Sequence, residues 1–140
     1  QAHFIDTLAW ALLANGMLPE AIAAADKAVE LSPESRIDDH RYKAASIRNE
    51  MAWPLVDPDR EEKETDAAWA LQLIRQAIDM EPDVWSFVDT LAWALFANGM
   101  YVEAIGAAER TLELAPEEEK AGYEKDYLTR LKKMVAEAQK

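Results

Sequence analysis

Asp6-Thr7-Leu8-Ala9-Trp10-Ala11-Leu12 returns unchanged, 83 residues downstream, as Asp89-Thr90-Leu91-Ala92-Trp93-Ala94-Leu95. The identity continues through Ala14-Asn15-Gly16-Met17, Glu20-Ala21-Ile22, Leu31 and Pro33, so roughly two-thirds of the block 6–33 recurs at 89–116. A weaker copy lies between them. Asn49-Glu50-Met51-Ala52-Trp53 echoes the opening of the block, and Ala70-Leu71, Ala77, Met80 and Pro82 echo its close. The chain therefore divides into unit one (2–33), unit two (34–82) and unit three (83–116).

Each unit reads as two helices at 3.6-residue periodicity. The first helix of unit one is expected over about 3–15, with Phe4 or Ile5, Leu8, Ala11, Leu12 and Ala14 on its buried side. Asn15-Gly16 supplies the left-handed stop that a helix C-terminus favours. A second helix begins near Leu18, with Pro19 and Glu20 in its first turn, and ends at Ser32-Pro33. Unit three repeats this plan with Asn98-Gly99 as the turn and Ala115-Pro116 as the end.

Unit two departs from the plan. Residues Glu34 to about Ala44 extend its first helix backwards, with Ile37, Ala44, Ile47 and Met51 at helical spacing. Pro54 lacks an amide donor and should kink or end that helix. Asp57 to Glu64 is then a loop or a frayed helix extension, an insertion over about 54–64, and the second helix starts near Thr65 or Asp66. Beyond Pro116, residues 117–139 place Tyr123, Tyr127 or Leu128, Leu131 and Met134 or Val135 on one face of a polar-backed helix. Such a helix can cap the last exposed face of a repeat array.

Composition narrows the function classes. Half of the 140 residues are hydrophobic and 4 are Gly, which favours an all-α chain. The net charge of −12, from 27 acidic and 15 basic residues, argues against nucleic acid or an anionic membrane surface as partner. The absence of Cys removes disulfides, thiolate nucleophiles and Cys-ligated zinc, and is compatible with a reducing or an oxidising compartment. No apolar run approaches the roughly 20 residues of a membrane span, so the chain reads as soluble, with cytoplasmic and exported locations both allowed. A helical pattern already running by Phe4, behind Gln1 rather than Met, suggests a trimmed chain or a mature protein whose leader has gone.

The pattern resembles the tetratricopeptide repeat (TPR) family over nearly the whole chain apart from the middle loop. A small residue follows an apolar one in each first helix (Leu8-Ala9, Met51-Ala52, Leu91-Ala92). Small and apolar residues open each second helix (Ala21-Ile22, Ala70-Leu71, Ala104-Ile105). A further small residue follows (Ala28, Ala77, with Thr111 a departure), then a closing proline (Pro33, Pro82, Pro116). Small residues belong where helix axes approach closely. The resemblance implies a TPR-like α-solenoid: a right-handed superhelical stack of three antiparallel helical hairpins plus a C-terminal capping helix.

It also implies a concave surface, built from the first helices, that holds a peptide or partner domain. On that geometry the groove residues are Asp6, Trp10, Leu13, Asn49, Trp53, Asp89, Trp93 and Phe96. Some TPR proteins grip a partner's C-terminal carboxylate with Lys, Asn and Arg. Asp6 and Asp89 would instead repel such a tail, so the expected partner is basic or apolar rather than acidic. Trp10, Trp53 and Trp93 are either binding anchors or interlocking core, with each indole N–H tied to the Asp6, Asn49 or Asp89 four residues earlier. The alternatives to a binding module are a self-associating scaffold, with a preceding-hairpin face open near Phe4, and a non-catalytic accessory domain of a larger protein.

Other features carry less. Trp69 and Trp85 lack counterparts in the other units and are read as local packing, with a side surface for a second contact as their alternative. His3 and His40 sit in no ligand or catalytic spacing, and His40 beside Asp38 and Asp39 is read as part of a solvated helix face. The acidic run after Asp57 lacks the Gly and terminal Glu of a calcium loop. Neither a Ser beside a base, nor a Gly-rich phosphate loop, nor an isolated carboxylate pair is present. No catalytic residue, cofactor or metal is assigned.

Overall fold

In the computed structural model, which describes residues 1–140, glycine closes the two outer hairpins in the same way. Helix α1 (Ala2–Ala14) ends at Asn15, and Gly16 follows with a φ of 74°. Without a Cβ, Gly16 enters the left-handed region freely. Its amide donates to the Leu13 carbonyl (3.0 Å) and the Met17 amide to that of Leu12 (2.9 Å), so two carbonyls stranded at the helix end are satisfied. Helix α2 (Leu18–Glu30) then runs back along α1.

Hairpin two comprises α3 (Ile37–Val56) and α4 (Ala67–Met80), preceded by a 3₁₀ turn at Glu34–Arg36. Helix α3 continues two residues past Pro54, and the Asp57 amide still reaches the Trp53 carbonyl at 2.9 Å. The proline's missing donor is thus felt only at the helix end. The acidic insertion is a turn-rich loop pinned at both ends. Near its start the Asp59 amide donates to Asp57 Oδ1 (2.9 Å), and near its exit the Thr65 hydroxyl donates to the Leu55 carbonyl (2.6 Å). Asp66 then caps α4 through the Trp69 amide.

Hairpin three, α5 (Trp85–Ala97) and α6 (Tyr101–Leu114), repeats hairpin one down to Gly99, whose φ is 75°. A terminal helical run follows: α7 (Glu117–Tyr123), a π-helical segment (Glu124–Leu128) and α8 (Thr129–Ala138), packed on α6. The π segment settles which residues face inward. Its wider turn puts positions five apart on one side, so Tyr123 and Leu128 are both buried, with Leu131 and Val135 completing the face. Tyr127 stays exposed, and Met134 is half-buried. The chain is thus an all-α stack of three antiparallel hairpins with a terminal cap, and none of its helices is long and apolar enough to cross a membrane.

Small residues set the spacing of the stack. Ala9, Ala52 and Ala92 on the first helices, and Ala21, Ala70, Ala104, Ala28 and Ala77 on the second helices, have no exposed surface. Each lets a neighbouring backbone come close. Thr111, at the position where its sister units carry Ala28 and Ala77, is equally buried and satisfies its hydroxyl on the Ala107 carbonyl at 2.9 Å.

Helix α1 differs from expectation on one flank. Leu8 is 51% exposed, and Ala11 and Ala14 are also open, although all three were expected to be buried; of the pair Phe4 or Ile5, Ile5 is the half-buried one and Phe4 is 78% exposed. Helix α1 packs against α2 and α3, leaving this flank without a neighbour. In α5, by contrast, the equivalent Phe87 and Ala94 are enclosed.

Arg48 ties hairpins one and two together. Its buried guanidinium donates to the Ala44 carbonyl (3.1 Å), to Gln76 Oε1 (3.0 Å) and to Asp26 Oδ2 (2.7 Å), so one side chain joins α2, α3 and α4. Removing the counter-ion should hurt more than removing the cation, because a buried charge left unpaired is costly. Because the Asp26 side chain is half exposed and Arg48 keeps its bonds to Gln76 and Ala44, the loss is moderated: Asp26→Ala is expected to lose about 2 kcal/mol and Arg48→Met about 1 kcal/mol in urea unfolding. The reverse order would contradict this reading.

Candidate functional site

The first helices form a row, α1 against α3 and α3 against α5, with each second helix packed beside its own partner. A row of this kind makes one continuous wall. The residues expected to line it occupy very different environments.

Trp10 is 37% exposed, while Leu13, Asn49 and Trp53 are half-buried. Asn49 Oδ1 is enclosed and has no hydrogen-bond partner. An unmatched buried acceptor is costly unless an incoming donor satisfies it. Trp93, although identical in local sequence to Trp10, is only 1% exposed and meets Phe96 edge-on at 6.1 Å. Phe96 in turn tilts against Tyr101 at 5.5 Å. The aromatic surface at the unit-three end is therefore turned into the core, whereas Trp10 and Trp53 keep accessible surface.

The two aspartates are both committed internally. Asp6 is 4% exposed and receives the Lys43 ammonium of α3 at 3.1 Å. Lys43 also reaches Asp39 at 3.4 Å. The Asp6 hydrogen bond is the main reason the Lys43 ammonium is held above its ordinary pKa, partly opposed by desolvation. His40 belongs to the same cluster. It was expected on a solvated face but is 3% exposed, because the 3₁₀ turn brings the start of α3 under α1 and puts Nδ1 4.0 Å from Asp6 Oδ2. No group of His, Cys, Asp and Glu suited to a metal ion is formed.

Asp89 is held by the terminal helix. The Tyr123 hydroxyl donates to Asp89 Oδ1 at 3.0 Å, and the Tyr123 ring lies edge-on to Trp85 at 6.4 Å. Further along, Arg130 grips Asp59 of the unit-two loop through two hydrogen bonds of 2.7 and 3.3 Å. The terminal helix is thus fastened at two places, one of them a carboxylate assigned to the groove. Burial pushes Asp89 up from 3.8 to about 6, against the opposing donors Tyr123 and then Trp93. Burial, and next the charge of Asp89, likewise push the Tyr123 phenol far above its ordinary value.

Neither tie had a local sequence signal. Tyr123 lies 34 positions from Asp89, and Arg130 lies 71 from Asp59. Only the amphipathic face of the tail marked Tyr123 as buried. Lys43 could have been found by asking what cation an enclosed Asp6 would need.

The Asp89 shift has a definite sign. Its folded pKa is raised, so its protonated form favours folding, and that contribution is lost as pH rises from about 4 to about 6. Asp39 and Asp59, whose carboxyls are lowered chiefly by hydrogen bonds from Arg36 and Arg130 respectively, work in the opposite sense on acidification. The difference between parent and Asp89→Asn isolates the effect. Relative to the variant, the parent should lose on the order of 2 kcal/mol between pH 4 and 6. Tyr123→Phe removes a donor to the ionised form and should move the Asp89 titration, followed by carboxyl NMR, still higher. A flat difference curve would contradict the buried setting of Asp89.

No protein-family model matches the chain, and no curated protein does. Among solved structures it is similar to the "First TPR of Spaghetti (RPAP3) bound to HSP90 peptide SRMEEVD", with 19% identity and a TM-score of 0.58 over 97% of this chain and 94% of that one. Likeness at this identity speaks to the path of the backbone, and it agrees with the hairpins, glycine turns and alanine contacts described above. The chain has the tetratricopeptide-repeat fold.

Proposed function

We propose that the chain is a protein-interaction module that takes a peptide or a partner domain on the wall formed by its first helices. The observation carrying this reading is the accessible aromatic surface of Trp10 and Trp53, with half-buried Leu13 one turn from Trp10. Aromatic anchors supply much of the energy at such surfaces. The solved neighbour of the same fold is bound to a peptide, which supports a peptide-binding reading here. The reading assigns no catalysis to these residues.

The ligand class follows from charge. The neighbour's peptide carries two Glu and an Asp, whereas this chain already has 27 acidic residues against 15 basic. An acidic peptide would meet a repulsive field, and a basic or apolar one would not. Asp6 and Asp89 are engaged by Lys43 and Tyr123, so the preference for cations comes from the overall field and from the faces of Trp10 and Trp53. A second reading, an assembly scaffold, is favoured by the open flank of α1, where Phe4 and Leu8 are exposed.

The test is a fluorescence titration of the parent, Trp10→Ala and Trp53→Ala with a library of basic, apolar and acidic peptides. Both variants should keep their stability within about 1 kcal/mol. Both should also bind the parent's best basic or apolar peptide at least roughly tenfold more weakly, a loss of about 1.4 kcal/mol. A parent that binds only acidic peptides, or variants that bind as well as the parent, would overturn the proposal.

A further inference from the structure

A cavity of about 260 Å³ opens where the start of α1 meets the junction of α2 and α3. Ala2 and His3 line it from α1, Leu31 and Pro33 from the end of α2, and Arg36 and His40 from the 3₁₀ turn and α3. In a chain with 27 acidic residues no carboxylate lines this cavity, whereas two histidines and an arginine do. His40 is the buried one, at 3% exposure, and neither of its ring nitrogens makes a hydrogen bond. Nδ1 is enclosed 4.0 Å from Asp6 Oδ2, too far for one, and Nε2 is left open to the cavity. A buried polar group without a partner is costly.

The start of α1 is also unsatisfied. Its first amide to find an acceptor is that of Ile5, on the Gln1 carbonyl at 3.0 Å, so the amides of Ala2, His3 and Phe4 are unbonded. No side chain caps them, and the first turn holds no acidic residue. A helix end in this condition favours an anion.

We propose that the cavity binds a phosphate group, inorganic or as a monoester, with the α1 amides and Arg36 at its mouth and His40 Nε2 at its floor. A carboxylate fits less well, because Arg36 already has one in Asp39 at 3.3 Å. A phosphate group displaces it by offering a charge of about −1.5 to −2 and three acceptor oxygens, enough for amides, guanidinium and imidazole together. Across the His40 ring it lies opposite Asp6, so the two anions favour the doubly protonated imidazole. The other charged or titratable groups about that ring are His3, Arg36 and Lys43, and Lys43 is held by Asp6 and Asp39. The net charge of −12 opposes an anion, but carboxylates beyond about 8 Å are largely screened at physiological salt. Neither Trp10 nor Trp53 lines the cavity, so the failure of one assignment leaves the other standing.

The test is an NMR titration of the 140-residue chain at pH 7 and constant ionic strength with inorganic phosphate, methyl phosphate or acetate. Phosphate should give saturable shifts at the first-turn amides of α1, at Arg36 and at the His40 ring, with a Kd on the order of millimolar, and acetate should bind at least roughly tenfold more weakly. At saturation the His40 ring nitrogens should move toward the doubly protonated form at unchanged pH. Tighter binding of methyl phosphate would identify the monoester as the source, and tighter binding of inorganic phosphate the free ion; both agree with the proposal. His40→Phe removes two unbonded nitrogens, so it should melt within about 2 °C of the parent or higher, yet bind phosphate at least roughly tenfold more weakly. Arg36→Gln, at an exposed position, should fold as the parent does and weaken binding severalfold. Acetylating the amine of Gln1, which also lines the cavity, should leave binding in place. The proposal is overturned by no saturation below about 100 mM phosphate, by acetate binding as well as phosphate, by parent affinity in either folded variant, or by loss of binding on acetylation.

Discussion

The close approach of helix backbones at alanine is the constraint on which everything else rests. Ala9, Ala52 and Ala92 on the first helices, and Ala21, Ala70 and Ala104 on the returning helices, have no exposed surface. A larger side chain at any of them would hold two helices apart, and an interior at native density cannot absorb such a wedge. Because the spacing recurs in every unit, the first helices fall into a row that makes one continuous wall. The turns and the cap serve that spacing. Gly16 and Gly99 reverse the chain within two residues, and the terminal helical run covers α6 with Tyr123, Leu128, Leu131 and Val135.

Within this scaffold, neighbours decide what a residue does. Trp10 and Trp93 share seven residues of local sequence, yet one keeps accessible surface and the other is enclosed. Phe4 and Phe87 differ even more. The repeat is therefore periodic in backbone and graded in environment: open at the flank of α1, partly open along Trp10 and Trp53, and closed where the terminal helix holds Asp89. The accessible aromatic surface of the first-helix row is therefore concentrated in units one and two. The Arg130–Asp59 and Tyr123–Asp89 ties fasten the terminal helix to hairpins two and three, so the closed end is also the braced end.

The sequence was most legible where local chemistry decides structure. Asn15-Gly16 and Asn98-Gly99 mark helix ends because the left-handed conformation costs a residue with a Cβ far more than glycine, and both turns appear where that rule puts them. The paired alanines and the closing prolines are equally local. Environments were less legible, because burial depends on which element lies opposite. The flank of α1 carries the same apolar stripe as α5, and only the stack shows that one is covered and the other bare. His40 was misread for the same reason, since nothing near it in sequence reveals that α1 passes overhead. Tyr123 could be marked as inward-facing, but its partner Asp89 could not. The buried spacing of the tail, five residues from Tyr123 to Leu128, was ambiguous until the π-helical turn accounted for it.

The central claim is that stacking, and not local sequence, assigns each repeat its role, and the two matched tryptophans test it most directly. Two variants would be made in which the other four tryptophans are Phe, leaving Trp10 alone or Trp93 alone, and each would be quenched with acrylamide. The account predicts ready quenching of Trp10, with emission shifted to longer wavelength, and strong protection of Trp93 in a chain of native helical content. Equal quenching of the two in folded protein would contradict it.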